Sequence, residues 1–251
     1  MPVTLVISNR KGGTGKTTVS VNLAAELAVH GKRVLLVDLD SQGHCAVGLG
    51  LKVGRGAPTA HDIFRDNGGR LAATIQPTAF PNLSLAPADP LFDHGSGLRD
   101  EGLLSRAIAE EDIASSFDVV ILDTPPSLDI LLFNGLVAAN LVLVPYVPHP
   151  LSLEGVRQLL RVLFKIISGP NPKLKIAGFL PTMVANHIRQ HRIVSGDVGR
   201  LFGPSRLLPG IRNDIRVAEA FAIGKPIRYY AHKSRGAEDF TQLASDLAAM
   251  L

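Results

Sequence analysis

The chain has 251 residues, which allows one large domain or two small ones because domains average about 150 residues. Hydrophobic residues make up 46% and charged residues 19%, a globular composition that excludes an intrinsically disordered chain. A single cysteine, Cys45, excludes an intrachain disulfide and a cysteine-rich zinc site. No run approaches the roughly 18 apolar residues of a membrane span, and the amino terminus does not resemble a signal peptide. We therefore expect a cytoplasmic protein.

Short runs rich in valine, isoleucine and leucine alternate with segments of helical periodicity. The predicted strands are Val3–Ser8, Arg33–Asp38, Val119–Asp123, Leu141–Pro145 and Leu174–Leu180. The predicted helices are Lys16–His30, Asp129–Ala139, Ser152–Ile167 and a closing helix over Arg235–Leu251. The stretch Gly48–Pro90, rich in glycine and proline, is interpreted as surface loops and short helices. This alternation is typical of a doubly wound, mostly parallel α/β sheet. Without a linker or an internal repeat, residues 1–251 are expected to form a single domain.

A glycine-rich motif, KGGTGKTT, runs from Lys11 to Thr18 between the first strand and the first helix. Its glycines allow a tight turn that aims backbone N–H groups inward, and the helix adds the positive end of its dipole. Lys16 can reach terminal phosphates, and the Thr17 hydroxyl can hold Mg²⁺. The usual P-loop has a glycine at the position of Arg10, so this loop is a variant, with an extra lysine at its start.

Three carboxylates lie at or just beyond the ends of predicted strands. Asp38 and Asp40 end the second strand in VLLVDLDSQG, and Asp123 ends a later strand in VVILDTPPS. Ligands bind α/β sheets beyond the carboxyl ends of the strands, so we expect these side chains to converge on the glycine-rich loop. Asp123 is predicted to support Mg²⁺ as a Walker B acid does.

The combination of KGGTGKTT, DLDSQG and ILDTPPS resembles the ParA/MinD group of P-loop NTPases, which has a deviant Walker A motif. The segment from Ile211 to Ala244 is similar to ParA/Soj-type partition ATPases, and the resemblance extends from Val3 to about Ala249. It implies slow ATP hydrolysis, a homodimer formed around ATP, and non-specific binding of that dimer to double-stranded DNA. It also implies a ParB-like or other adaptor that stimulates hydrolysis, and a place on the nucleoid, where a chromosome, plasmid or other cargo is positioned. No helix-turn-helix extension is expected before the first strand.

The resemblance also implies roles for individual residues. Lys16 would bind phosphate, Lys11 would reach the nucleotide of the partner subunit, and Asp40 would orient the attacking water. Thr17, Asp40 and Asp123 would form the Mg²⁺ site. The implied nucleotide contacts are Lys11, Gly12, Gly13, Thr14, Gly15, Lys16, Thr17 and Thr18, with adenine recognition from Pro181, Thr182 and Met183 and from Pro209, Gly210 and Ile211.

Basic charge is concentrated between His187 and Arg235, where ten lysines and arginines face three acids for a net +7. Such a segment suggests a polyanionic partner. The resemblance places a DNA-binding arginine at Arg216 and a second one at His187, beside Arg189 and Arg192, which are candidate DNA contacts. Because no aromatic-rich strand interleaves these residues, duplex backbone is favoured over stacked single strands.

Three alternative functions stay open. A MinD-like membrane-associated positioning ATPase needs a basic amphipathic tail, and no basic residue follows Arg235. An iron–sulfur member of the superfamily needs at least two cysteines per chain, and this chain has only Cys45, which counts against that alternative. A nucleotide-gated scaffold with little turnover is disfavoured by the intact Asp40.

Overall fold

The computed structural model describes residues 1–65, 68–93, 98–185 and 187–251. Seven strands form one sheet in the order β3-β4-β2-β5-β1-β6-β7. The strands are β1 (Val3–Ile7), β2 (Val34–Asp38), β3 (Gln76–Pro77), β4 (Leu83–Ala86), β5 (Val119–Asp123), β6 (Leu141–Tyr146) and β7 (Lys175–Pro181). The short β3 is antiparallel to β4, and the other paired strands are parallel. The predicted doubly wound, mostly parallel α/β fold is therefore confirmed.

Helices cover both faces of the sheet. They are α1 (Lys16–Val29), α2 (His44–Gly48), α3 (Leu103–Ala109), α4 (Glu111–Ala114), α5 (Ile130–Ala138), α6 (Ser152–Ile167), α7 (Arg189–Phe202), α8 (Ile215–Ala222), α9 (Ile227–Tyr230) and α10 (Arg235–Leu247). Short 3₁₀ turns lie at Ala60–Phe64, Leu71–Thr74 and Pro204–Arg206. Within the described ranges, no helix combines the length and the apolar character needed to cross a bilayer.

The central strands β2, β5 and β6 consist almost entirely of apolar residues because both of their faces are buried. Along β1, Leu5 and Ile7 face one hydrophobic cluster while Val6 faces the other, as the twofold period of a strand requires. The first cluster includes residues of α1 and α10, and the second includes residues of α3, α5 and α6. In α10, Phe240, Leu243 and Leu247 are buried, and this confirms the predicted closing helix, although it ends at Leu247.

One prediction was wrong in part. The stretch Gly48–Pro90 contains β3 and β4 as well as loops and short helices, and its residues 66 and 67 lie outside the described ranges. Strand β4 has only four residues and is bounded by Asn82 and Pro87, so it is too short to show a period. It becomes a strand because its backbone pairs with β2 from Val34 to Val37.

The topology brings the functional segments to one edge. Strand β1 lies between β5 and β6, and its last residue, Ile7, is opposite Asp123 of β5. Asp38 at the end of β2 is also opposite Asp123. The glycine-rich loop after β1 therefore begins beside both carboxylates, as expected for a ligand site beyond the carboxyl ends of parallel strands.

Candidate nucleotide-binding site

The glycine-rich loop turns sharply between β1 and α1. Gly13 and Gly15 have φ angles of 72° and 79°, in the left-handed region where a side chain is strained. Gly15 is the N-cap of α1, and no side chain within the described residues caps this helix. The N–H groups of the first turn are therefore available to an anion.

The loop forms one wall of a cavity of about 690 Å³. Every residue from Gly12 to Thr18 lines it, and its other walls are Asp40, Ser41, Gln42, His44, Pro125, Pro126, Ser127, Met183 and Phe221. Burial lowers the pKa of Lys16, while the carboxylates of Asp123 and Asp40 oppose that shift. Bound phosphate would further stabilise the charged ammonium in this desolvated position.

Asp123 is fully buried and is held by hydroxyl groups of α1. Thr17 Oγ1 donates a hydrogen bond to Asp123 Oδ2 at 2.7 Å, and Ser20 Oγ donates one to Asp123 Oδ1 at 2.8 Å. Burial raises the pKa of Asp123, and these hydroxyls and the Lys16 ammonium act in the opposite direction. Hydroxyl and carboxylate oxygens are the ligands that Mg²⁺ prefers, so the donor set fits that ion.

Asp38 shapes the turn that carries Asp40. Its carboxylate accepts hydrogen bonds from the backbone N–H groups of Asp40 at 3.1 Å and of Cys45 at 3.0 Å. Burial and the facing carboxylate of Asp123 raise the pKa of Asp38 well above its usual range. Burial likewise raises the pKa of the Cys45 thiol, which donates a hydrogen bond to Asp123. Asp38 and Cys45 thus do not line the cavity, but they form hydrogen bonds with Asp40 and Asp123. Asp40 does line the cavity.

Lys11 differs from the rest of the loop because it does not line the cavity. Its backbone N–H donates a hydrogen bond to Asn9 Oδ1 at 3.0 Å, and Asn9 Nδ2 donates one to the carbonyl of Pro145 at 2.7 Å. Helix α6 approaches closely at Gly155, where a Cβ atom would lie 3.3 Å from the Cβ atom of Lys11. Lys11 is therefore anchored at the base of the loop and does not line the neighbouring cavity.

A second cavity, of about 470 Å³, continues from the first. The two segments expected to recognise adenine are joined by a hydrogen bond from the Ile211 N–H to the carbonyl of Pro181 at 2.8 Å, although Pro181 itself lines a different depression. Thr182, Met183 and Ile211 line this cavity. Pro209 is exposed and lies outside it, and Gly210 lines a different depression.

Known proteins match this sequence over nearly their full length. A family model described as an AAA domain matches residues 3–176. Chromosome-partitioning ATPase Soj of Thermus thermophilus is 37% identical over 252 residues, which cover 98% of this chain and 95% of that protein. Chromosome partitioning protein ParA of Caulobacter vibrioides is 34% identical over 248 residues, covering 97% and 92%. The chain belongs to the ParA/Soj family.

A solved structure with a similar sequence has the same fold. The cobyrinic acid a,c-diamide synthase of Mycobacterium smegmatis, determined with a bound ATP analog and magnesium, is 32% identical and has a TM-score of 0.80. The match covers 99% of this ParA/Soj-family chain and 95% of that one. The fold around the glycine-rich loop is thus shared with a protein whose structure contains nucleotide and metal.

In the basic segment of this ParA/Soj-family chain, between His187 and Arg235, some of the positive side chains are already paired with acidic residues. Arg212 is paired with Asp239 at 2.8 Å and Glu238 at 3.0 Å, and Arg228 lies 3.8 Å from the buried Glu26. All three acids lie outside the segment, so they offset part of its net positive charge.

The three predicted DNA contacts are exposed but separate. Arg216 lies on α8, where its Nε is 3.7 Å from Glu219, and it lines an open depression together with Lys233 and Arg235. Arg189 and Arg192 lie in the first turn of α7. The structure therefore places two basic surfaces on different helices.

Ser20, Asn9 and Phe221 are among the residues near the site that the sequence analysis missed. Ser20 could have been found, because it lies one helical turn after Lys16 and Thr17 on the same face of α1. Asn9 and Phe221 carry no such signal. Their proximity to the loop depends on how β6, α6 and α8 dock against it.

Proposed function

We propose that this chain is an ATPase whose ATP-bound dimer binds double-stranded DNA without sequence preference and positions a chromosome, plasmid or other cargo over the nucleoid. A ParB-like or other adaptor would stimulate its hydrolysis. Membership of the ParA/Soj family supports partition as the general task. The observation that carries the proposal is the different placement of the two lysines of the loop. Lys16 is buried in the cavity, whereas Lys11 is anchored outside it.

The first cavity offers groups that can bind the phosphates, Mg²⁺ and the attacking water. Lys16 and the loop N–H groups bind the phosphates, and Thr18 lies where the α-phosphate would pass toward the second cavity. Thr17 and Asp123 hold Mg²⁺, which when bound neutralises charge that builds up on the phosphates. Asp40 is a partly exposed carboxylate in the cavity wall, in a position to orient the attacking water.

The position of Lys11 supports the proposed dimerisation. Because Lys11 does not line the cavity of its own subunit, it can neutralise phosphate charge in a second subunit, as an arginine finger does. A fixed backbone at Lys11, held by Asn9, reduces the entropy lost when the side chain reaches across. The dimer should therefore form with ATP and separate after hydrolysis.

DNA binding rests on the depression that contains Arg216, Lys233 and Arg235. An arginine can form two parallel hydrogen bonds with phosphate oxygens, and such contacts read no base sequence. Pairing two such surfaces in an ATP dimer raises their effective concentration for one duplex. Binding should then weaken steeply with salt, because counterions are released from the duplex.

The test uses random-sequence duplex DNA at low and moderate salt, with and without MgATP, together with light scattering. We expect Lys16→Ala to lose nucleotide binding and Asp40→Ala to accumulate as an ATP-bound dimer. Arg216→Ala should dimerise normally and lose most of its DNA affinity. Arg189→Ala and Arg192→Ala should lose less, and Arg200→Ala, an exposed arginine paired with Asp197, is the matched control.

Near-native nucleotide affinity in Lys16→Ala would contradict the phosphate site. A monomeric Asp40→Ala protein in MgATP would contradict the dimer. Salt-insensitive DNA binding, or full affinity in the Arg216→Ala dimer, would contradict the DNA surface.

A further inference from the structure

The two cavities of the nucleotide site meet at a passage formed by four shared residues. Gly15 and Thr18 belong to the phosphate loop and α1, whereas Met183 and Phe221 come from the segment after β7 and from α8. A nucleotide with its phosphates on the loop must pass between these two pairs to place its base in the second cavity. Residues that wall the passage therefore contact the nucleoside.

The second cavity has the chemistry of a site for a flat apolar group. Eight of its fourteen lining residues are apolar, namely Val19, Met183, Ile211, Val217, Ala218, Phe221, Ala222 and Phe240, and Asn213 and Asp214 are among the polar ones. Arg212 also borders it, but its guanidinium is paired with Asp239 and Glu238. This lining favours an aromatic base over a second anion.

The ring of Phe221 is held in place by a glycine of the neighbouring helix. A Cβ atom at Gly48 would lie 2.7 Å from Cε2 of Phe221 and 3.1 Å from its Cζ. The ring edge thus packs directly on the backbone of α2, the helix that follows the Asp40 turn. A side chain at position 48 would displace the ring.

We infer that Phe221 positions the nucleoside: its side chain forms the wall of the passage on the α8 side, packs against the base and ribose, and is fixed there by Gly48. This role rests on the proposed ATP site and adds a specificity-determining residue to it. Phe221 has no group that binds phosphate, whereas the loop offers N–H groups and Lys16, so Phe221 would act on ligands that carry a nucleoside. It should have no effect on a bare polyphosphate.

The experiment compares ATP with inorganic tripolyphosphate, each titrated in the presence of Mg²⁺ against the full chain. We expect Phe221→Ala to weaken ATP binding about tenfold, equivalent to about 1.4 kcal/mol, and to leave tripolyphosphate affinity within about twofold of wild type. Phe221→Tyr should bind ATP normally. Ile223→Ala, an exposed apolar residue one position past α8, is the matched control and should change neither affinity.

Gly48→Ala provides a second variant if Phe221→Ala does not fold. It should weaken ATP binding selectively, because the added methyl group displaces the ring. Equal weakening of ATP and tripolyphosphate in either variant, or unchanged ATP affinity in a folded Phe221→Ala protein, would overturn the role of Phe221. A wild-type chain that binds neither ligand would instead refute the proposed function.

Discussion

Thr182 links the end of β7 to the phosphate loop through one hydroxyl group. Thr182 Oγ1 lies 3.0 Å from the carbonyl oxygen of Thr14 and 3.1 Å from that of Tyr146. The Tyr146 carbonyl already accepts the Thr182 N–H at 2.8 Å. Since the hydroxyl has a single proton, its main contribution is to the Thr14 carbonyl. Both threonines are almost fully buried, with 3% and 1% of their surfaces exposed.

Thr182→Val keeps the shape of the side chain and removes that proton. A buried acceptor left without its donor costs about 1–3 kcal/mol. Only one carbonyl loses its partner, so we expect a loss of about 1–2 kcal/mol in the free energy of unfolding. For a chain of this size, each 1 kcal/mol corresponds to a fall of about 2–4 °C in Tm.

Urea unfolding without nucleotide measures this loss, and ATP titration measures its effect on the loop. We expect the valine variant to bind ATP several-fold more weakly, because the loop at Thr14 is less restrained. Thr182→Ser retains the hydroxyl and should bind ATP like wild type. Wild-type stability in the folded Thr182→Val protein, or equal loss of ATP affinity in the valine and serine variants, would refute the reasoning.

Two further predictions concern Asp118 and Asn9. Hydrogen bonds from Arg33 lower the pKa of Asp118 to about 2, so this pair stabilises the fold above the unfolded pKa of about 3.9 and ceases to do so as pH falls through about 2. Asp118→Asn should cost at most about 1 kcal/mol near neutral pH because the pair is exposed. In urea unfolding that difference should shrink between about pH 4 and about pH 2, and a pH-independent difference would contradict it. Asn9→Ala removes the hydrogen bond that holds the Lys11 backbone, so we expect retained ATP binding with weaker ATP-dependent dimerisation in light scattering. Unchanged dimerisation would show that Lys11 does not need this anchor.

The sequence by itself determined the features that depend on neighbouring residues. The turn from Lys11 to Thr18 needs glycines at positive φ, and Gly13 and Gly15 adopt such angles. The strands β1, β2, β5 and β6 are apolar runs with nearly every residue buried, so their positions could be predicted from hydrophobicity. The carboxylates of Asp38 and Asp123 end two of these strands, and parallel strands bring such ends to one edge.

Only the tertiary structure decided the features that join distant parts of the chain. Strand β4 exists because it pairs with β2, and a four-residue run shows no period of its own. Arg212 and Arg228 count toward the basic charge of their segment, but Asp239, Glu238 and Glu26 neutralise them from outside it. Phe221 reaches the nucleotide site because α8 docks on Gly48. The side chain of Asn9 is held by its hydrogen bond to the carbonyl of Pro145, 136 positions away. Such contacts depend on how buried surfaces fit one another across the chain, and local propensity and periodicity carry no record of that fit.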